Sequence, residues 1–166
     1  MKFFTTLLLL VSSLLCSDTL IHAGKYIDVI NGKVISKSSI VIDQNGVIKE
    51  ISSGYINSRG YEYYDLKDKT AMPGLMDMHV HFGQEYLSKA DAPIKVEKEY
   101  SAIAAVKHAK LTLDGGFTTV RQVGDSGFIA ISLRDAIRDG HAIGPRIFTS
   151  GKSLATIDNN RASSKY

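Results

Sequence analysis

Residues 73–82 read PGLMDMHVHF, and this stretch decides the predicted fold. Pro73-Gly74 is a turn dipeptide, and the mostly apolar run that follows it is typical of a strand. Because side chains at i and i+2 of a strand point to the same face, His79 and His81 are expected to project together. Two imidazoles on one face can share a metal ion, but an isolated pair is more often made of surface or packing histidines.

The sequence after this stretch alternates between helical and strand patterns. We predict a helix over 96–113, a strand over 117–123, a second helix ended by Gly140 and a third strand over 146–150. The apolar stripe of the first helix consists of Ala102, Val106, Ala109 and Leu113, and that of the second consists of Ile129, Leu133, Ala136 and Ile137. Strands that alternate with helices of this length predict parallel βαβ units, and so the α/β class. In β/α barrels the chemistry lies at the C-terminal ends of the strands, which is where His79 and His81 fall.

The sequence before this stretch predicts a small antiparallel β-unit. Asn31-Gly32 and Asn45-Gly46 are turn dipeptides, because both residue types tolerate positive φ. Residues 39–43 and 47–51 flank the second turn and are rich in β-branched residues, as strands are. The polar segment 52–64 predicts a loop that leads to another short strand.

The first residues have the layout of a secretory signal peptide. Lys2 precedes an apolar run over 3–15, and small or polar residues follow it. A buried helix and a membrane anchor are the alternatives, and Cys16 adds a lipoprotein as a minor one, although Leu15 is bulky for such a site. We therefore expect residues 1–17 to be removed and the protein to be secreted or periplasmic, with no stable membrane span afterwards.

The composition excludes several classes of protein. The chain has 166 residues, 20 Lys+Arg against 17 Asp+Glu, and a net charge of +3. Without a basic cluster, this charge gives no case for nucleic-acid binding. A single Cys excludes a disulfide framework.

Four stretches together resemble the amidohydrolase superfamily, in the branch of imidazolonepropionase-like and Xaa-Pro dipeptidase-like proteins. They are TLIHAGKYID, DLKDKTAMPGLMDMHVHF, LTLDGGFTTVRQVGD and LRDAIRDGHAIGPRIFTSGKSLAT, within about residues 19–156. The resemblance implies a small β-sandwich domain and a β/α barrel that binds one or two divalent ions, commonly zinc. It implies that a metal-activated water hydrolyses a carbon–nitrogen bond in a small amide or dipeptide-like substrate. By motif match, His79 and His81 are metal ligands.

The predicted organisation has four parts. They are a signal peptide (1–17), part of a small β-sandwich (18–70), the first three strands of an incomplete TIM-type (β/α) barrel (71–156), and an unrelated-looking polar tail (157–166). In the family the remaining ligands and the catalytic aspartate lie on later strands, so we expect no catalytic residue in this sequence and no activity of the fragment alone. We expect a frameshift, a premature stop or a fragmentary gene model to be the origin of such an ending. The alternatives are assembly with a separately encoded C-terminal half and a pseudogene-like remnant.

Three other histidines are weaker metal candidates. His22 lies in the β-unit, His108 on the first predicted helix and His141 just after the second. In a β/α barrel the helices lie outside, and the turns from helix to strand lie at the end opposite the chemistry. We expect surface or packing roles for all three.

Three polar residues lie near the predicted strand ends, but the sequence identifies no substrate-binding residue. Asp125 is expected to cap the second helix, with substrate contact as the alternative. Lys152 is expected to be solvated, with the same alternative. Asp77, two residues before His79, is expected to have a structural or orienting role.

Overall fold

The structure is a computed structural model that describes residues 17–83, 98–125 and 127–153. It divides into two compact units, residues 1–73 and 74–166. The predicted boundary lies three residues earlier, between residues 70 and 71. The predicted tail lies outside the described residues, and so does the predicted signal peptide apart from its last residue. Among the helices that are described, none has the length and apolar character needed to cross a membrane.

The first unit is one four-stranded sheet with the strand order β3-β2-β1-β4. Its strands are β1 (Thr19–Asp28), β2 (Lys33–Ile42), β3 (Ile48–Ser53) and β4 (Glu62–Ala71). The β1–β2 and β2–β3 pairs are antiparallel, as predicted, but β4 pairs with β1 in parallel. The sheet is therefore mixed, and the prediction of an antiparallel unit is wrong for β4. Parallel strands such as β1 and β4 are joined by a long connection, which has no turn dipeptide to reveal the direction of the second strand.

The two predicted Asn-Gly turns are confirmed. Gly32 and Gly46 have φ values of 63° and 77°, in the left-handed region that glycine adopts readily. Asp43 stabilises the second turn, because its Oδ1 accepts the N–H groups of Asn45 and Val47 at 2.8 and 2.9 Å. These contacts are local, so the hairpins form from neighbouring residues.

The second unit is a parallel sheet with the order β5-β6-β7. The chain runs β5 (Leu75–Val80), α1 (Lys98–Asp114), β6 (Phe117–Gln122), α2 (Ile129–Arg138) and β7 (Arg146–Thr149). Both strand pairs are parallel. This is the predicted strand–helix alternation, and it confirms the α/β class with three consecutive strands of a β/α barrel.

The core of the second unit lies between the sheet and the two helices. Val120 on β6 is fully buried, and it packs in one cluster with six further residues: Phe82, Ala105, Ala109, Ile129, Leu133 and Ile147. On α1 the buried positions include Ala105, whereas Val106 is 42% exposed. Of the predicted stripe on α1, Ala109 is buried and Ala102 packs against the core, so the prediction is wrong for Val106. Small alanines face the sheet and let the helix approach it closely.

Candidate metal centre

The C-terminal ends of the three parallel strands form one edge of the sheet. Segments 81–83, 123–125 and 150–153 follow β5, β6 and β7. The N–H of Ser150 donates to the carbonyl of Gln122 at 3.3 Å, and the N–H of Asp125 donates to the carbonyl of Gly151 at 3.0 Å. The last two segments are thus tied together, beside the end of β5 that bears the paired histidines.

His79 and His81 lie side by side at this edge. Their Nε2 atoms are 3.2 Å apart, and their rings meet edge to face with centroids 5.1 Å apart. Two Zn–N bonds of about 2.0–2.1 Å that span this separation enclose an angle of about 100°, close to the tetrahedral value. The pair therefore fits a shared zinc ion. The metal-ligand role of both residues stays a prediction.

His81 is held by a backbone carbonyl. Its Nδ1 lies 3.2 Å from the carbonyl oxygen of Gly124. Because a carbonyl oxygen can only accept, Nδ1 carries a proton, and in the neutral ring Nε2 then keeps its lone pair, the form that binds a metal. The ring of His81 is thus oriented with its free nitrogen towards His79.

Asp77 stabilises the backbone at His79. Its Oδ1 accepts the backbone N–H of His79 at 3.0 Å. This contact matches the structural role expected of Asp77, since the carboxylate orients the strand rather than reaching the pair of imidazoles.

Asp125 caps α2 from upstream of the helix. The carboxylate is almost fully buried, and its two oxygens accept the N–H groups of Gly127 and Ala130 at 3.0 and 2.7 Å. The N-cap residue itself is Phe128, which has a φ of 58° and offers no side-chain cap. The capping role is as predicted. Lys152 places its ammonium 5.2 Å from the centre of the Phe128 ring, within the range of a cation–π contact.

The other histidines do not join the pair into a larger cluster. His22 is buried in the first unit, where its Nδ1 lies 3.0 Å from the hydroxyl of Tyr63 and its ring stacks at 4.7 Å on Tyr55. His108 lies on α1, and His141 follows α2. Over the described ranges, no group of three or more His, Cys, Asp or Glu side chains is placed to hold a metal ion.

Sequence reasoning missed Gln122, which is fully buried at the end of β6. Its Oε1 accepts the backbone N–H of Phe82 at 2.8 Å, directly after His81. The sequence did contain a signal for it. Gln122 is a polar residue two positions after the apolar Val120, so it lies on the same face of β6, which packs in the core.

The fold and the paired histidines together define a β/α-barrel protein with candidate metal ligands at its strand ends. The model of the amidohydrolase family matches residues 70–165. The chain belongs to the amidohydrolase family. The matched range includes residues 157–165, which are most of the segment predicted to be an unrelated polar tail.

Three relatives illustrate the similarity. A Xaa-Pro dipeptidase, solved with methionine bound in its active site, is 59% identical with a TM-score of 0.83, over 90% of this chain and 37% of its own. The dihydroorotase of Trichlorobacter lovleyi is 36% identical over 106 residues, which are 62% of this chain and 21% of the relative. The ochratoxinase of Aspergillus niger is 26% identical over 144 residues, 82% of this chain and 28% of the relative. The chain thus spans between 21% and 37% of the length of these proteins.

Proposed function

We propose that this chain supplies two metal ligands, His79 and His81, to a zinc-dependent amidohydrolase that cleaves a carbon–nitrogen bond. The observation that carries the proposal is the 3.2 Å separation of their Nε2 atoms, which suits a shared ion. Family membership supports it, because amidohydrolases generally use divalent metals. The 59% identity with a Xaa-Pro dipeptidase favours a small dipeptide-like amide as the substrate.

The residues of this chain hold and orient the ligands. A divalent ion, when bound, activates water and polarises the scissile carbonyl. The Gly124 carbonyl fixes the ring of His81, and Asp77 fixes the backbone of His79. Asp125 keeps the start of α2 in place beside the segment that contains Gly124. Zinc sites of this kind use three protein ligands, so at least one more comes from outside the described residues.

An open depression of about 440 Å³ lies at the C-terminal ends of β6 and β7. Phe148 forms part of its wall and is 56% exposed, so an apolar substrate group can pack on it. Arg121 also lines it, but its Nε donates to the carbonyl of Met78 at 2.8 Å. We propose that this depression receives one side chain of the substrate.

Zinc titration of the 166-residue chain tests the ligand assignment. We expect the ring signals of His79 and His81 to shift together in nitrogen-15 NMR spectra as zinc is added. His79→Ala and His81→Ala should each abolish the shift of the remaining ring, whereas His141→Ala, remote from the pair in sequence, should leave both shifts intact. An unaltered zinc response in a double variant without both histidines would contradict the assignment.

A chimera tests the reaction class. Residues 18–153 replace the aligned segment of the Xaa-Pro dipeptidase, and the product is assayed with a panel of Xaa-Pro dipeptides and zinc. We expect hydrolysis that His81→Ala removes and His141→Ala retains. A folded, zinc-loaded chimera that hydrolyses none of the dipeptides, or in which His81→Ala is fully active, would count against the proposal.

A second candidate function is assembly with a separately made polypeptide that supplies further strands. In the described sheet, β5 and β7 each have one strand neighbour, so each presents one open hydrogen-bonding edge. Open edges are templates for pairing with another chain. Co-expression with the part of the dipeptidase beyond the aligned segment should give a complex that co-purifies. Complete separation of two folded polypeptides would argue against this function.

We also propose that the protein is exported, which rests on the signal-like pattern of residues 1–17. N-terminal sequencing of the protein from a secreting host should find a new N-terminus near residue 18. Intact protein that starts at Met1 and stays in the cytosol would contradict export.

A further inference from the structure

The ladder between β5 and β6 is interrupted where the histidines lie. Asp77 pairs with Val120, and Val80 pairs with Gln122. The chain thus advances by three residues on β5 but by only two on β6 between these pairs. Such a bulge leaves backbone groups without ladder partners and re-aims the side chains beside it. His79 therefore lies within the irregular part of the ladder, and His81 and Phe82 lie beyond its last pair.

Three contacts from β6 and the segment after it hold the chain at and after the interruption. The Nε of Arg121 donates to the carbonyl of Met78 at 2.8 Å. The Oε1 of Gln122 accepts the N–H of Phe82 at 2.8 Å, and the carbonyl of Gly124 accepts the Nδ1–H of His81 at 3.2 Å. The last two contacts flank His81, since one holds the peptide that follows it and the other holds its ring.

Gln122 is an unusual residue for its position. It is fully buried, on the face of β6 where Val120 packs in the core. Its Nε2 has no hydrogen-bond partner among the described residues, so only the oxygen of its amide is used there. A buried amide with an unpaired donor is less favourable than an apolar side chain of the same size. A packing role does not account for it, whereas its contact with Phe82 does.

We propose that Gln122 is a positioning residue for His81. Its Oε1 fixes the His81–Phe82 peptide so that the ring of His81 reaches the Gly124 carbonyl and presents a proton-free Nε2 to His79. His81 is thus set in its metal-binding form in advance. Only the relevance to metal binding rests on the proposed function.

The position of Gly124 is also constrained. Its φ is 138°, and a Cβ at this position would come within 2.6 Å of the Cα of Ser153. A side chain is therefore excluded where the β6 segment passes the segment after β7. This close approach holds the carbonyl of Gly124, which accepts the hydrogen bond from the Nδ1–H of His81.

Nitrogen-15 NMR of the histidine rings, on the 166-residue chain with a chelator, tests the proposal. We expect His81 to show one tautomer, with the proton on Nδ1. Gln122→Met has a similar volume and no acceptor, and it should give a mixture of tautomers at His81. Gln122→Glu restores an oxygen acceptor and should restore the single tautomer. If Gln122→Met does not fold, Gln122→Asn, whose shorter amide cannot reach Phe82, takes its place.

A matched control separates positioning from stability. Val120→Ala removes packing from the same face of the same strand, in the cluster that also contains Phe82, but it keeps the Gln122 acceptor of the Phe82 N–H. It should therefore leave the tautomer of His81 unchanged. A wild-type His81 protonated on Nε2, a Gln122→Met spectrum like that of the wild type, or the same mixture in Val120→Ala would overturn the proposal.

Zinc titrations distinguish this inference from the proposed function. We expect Gln122→Met to weaken zinc binding by about 10- to 100-fold, as the loss of groups that orient ligands does, and Val120→Ala to change it little. A wild-type chain with the expected tautomers but no zinc response would overturn the proposed function and support the positioning role. Equal zinc affinity of the wild type and Gln122→Met would overturn the relevance of positioning to metal binding.

Discussion

Removal of the Asp125 carboxylate tests the link between α2 and the edge that bears the histidines. Asp125→Ala takes away the acceptors of two N–H groups, on Gly127 and Ala130. Ala130 is fully buried in the first turn of α2, where its N–H has no partner within the helix. A lost N-cap costs about 0.5–2 kcal/mol and a buried unpaired donor about 1–3 kcal/mol, so we expect a loss of roughly 1.5–5 kcal/mol.

Urea denaturation, followed by circular dichroism, measures this loss. Asp125→Asn keeps one acceptor oxygen, and we expect it to cost roughly half as much as Asp125→Ala. Asp114→Ala is the matched control, because Asp114 is exposed and its ion pair with Lys110 should contribute less than about 1 kcal/mol. If Asp125→Ala changes the free energy of unfolding no more than Asp114→Ala does, the capping interpretation is wrong.

Three further predictions concern stability. Leu133→Ala empties a buried position in the core and should lower the free energy of unfolding by about 2–5 kcal/mol in urea, so a loss below about 1 kcal/mol would show that Leu133 is not packed as described. Gly46→Ala forces positive φ on a residue with a Cβ and should cost about 1 kcal/mol by the same measurement, which an unchanged midpoint would refute. The hydrogen bond from the N–H of Val47 is the main reason why the pKa of Asp43 lies below its ordinary value. Because that pKa is lowered by folding, the contribution of Asp43 is present above its ordinary pKa and is lost as the pH falls through the folded value. Asp43→Asn keeps the acceptor and should flatten the acid dependence of the urea midpoint, whereas an unchanged dependence would refute the assignment.

The hairpins of the first unit could be predicted because their signals are local. The turn at Asn45-Gly46 needs only positive φ at glycine and the nearby side chain of Asp43. The direction of β4 could not be predicted, because its partner β1 is about forty residues away and no turn links them. Long-range pairing is set by the burial of a whole sheet face, which no short window of sequence contains.

The burial of α1 was predicted less well than that of α2. On α2 the predicted stripe through Ile129 and Leu133 is buried, because large apolar side chains define one face. On α1 alanines occupy several faces, and Ala105 rather than Val106 is buried. Small side chains mark a face weakly, so packing against the sheet decides the rotation of the helix.

By itself, the sequence determined the chain order of strands and helices in the second unit and the pairing of His79 with His81. Both follow from periodicity along a short stretch, because a strand places alternate side chains on one face. Only the tertiary structure decided how His81 is held, since Gln122 and Gly124 meet the end of β5 from about forty residues further along the chain. Such contacts depend on the register of two strands and on a bulge between them, and neither is encoded in the spacing of the residues concerned.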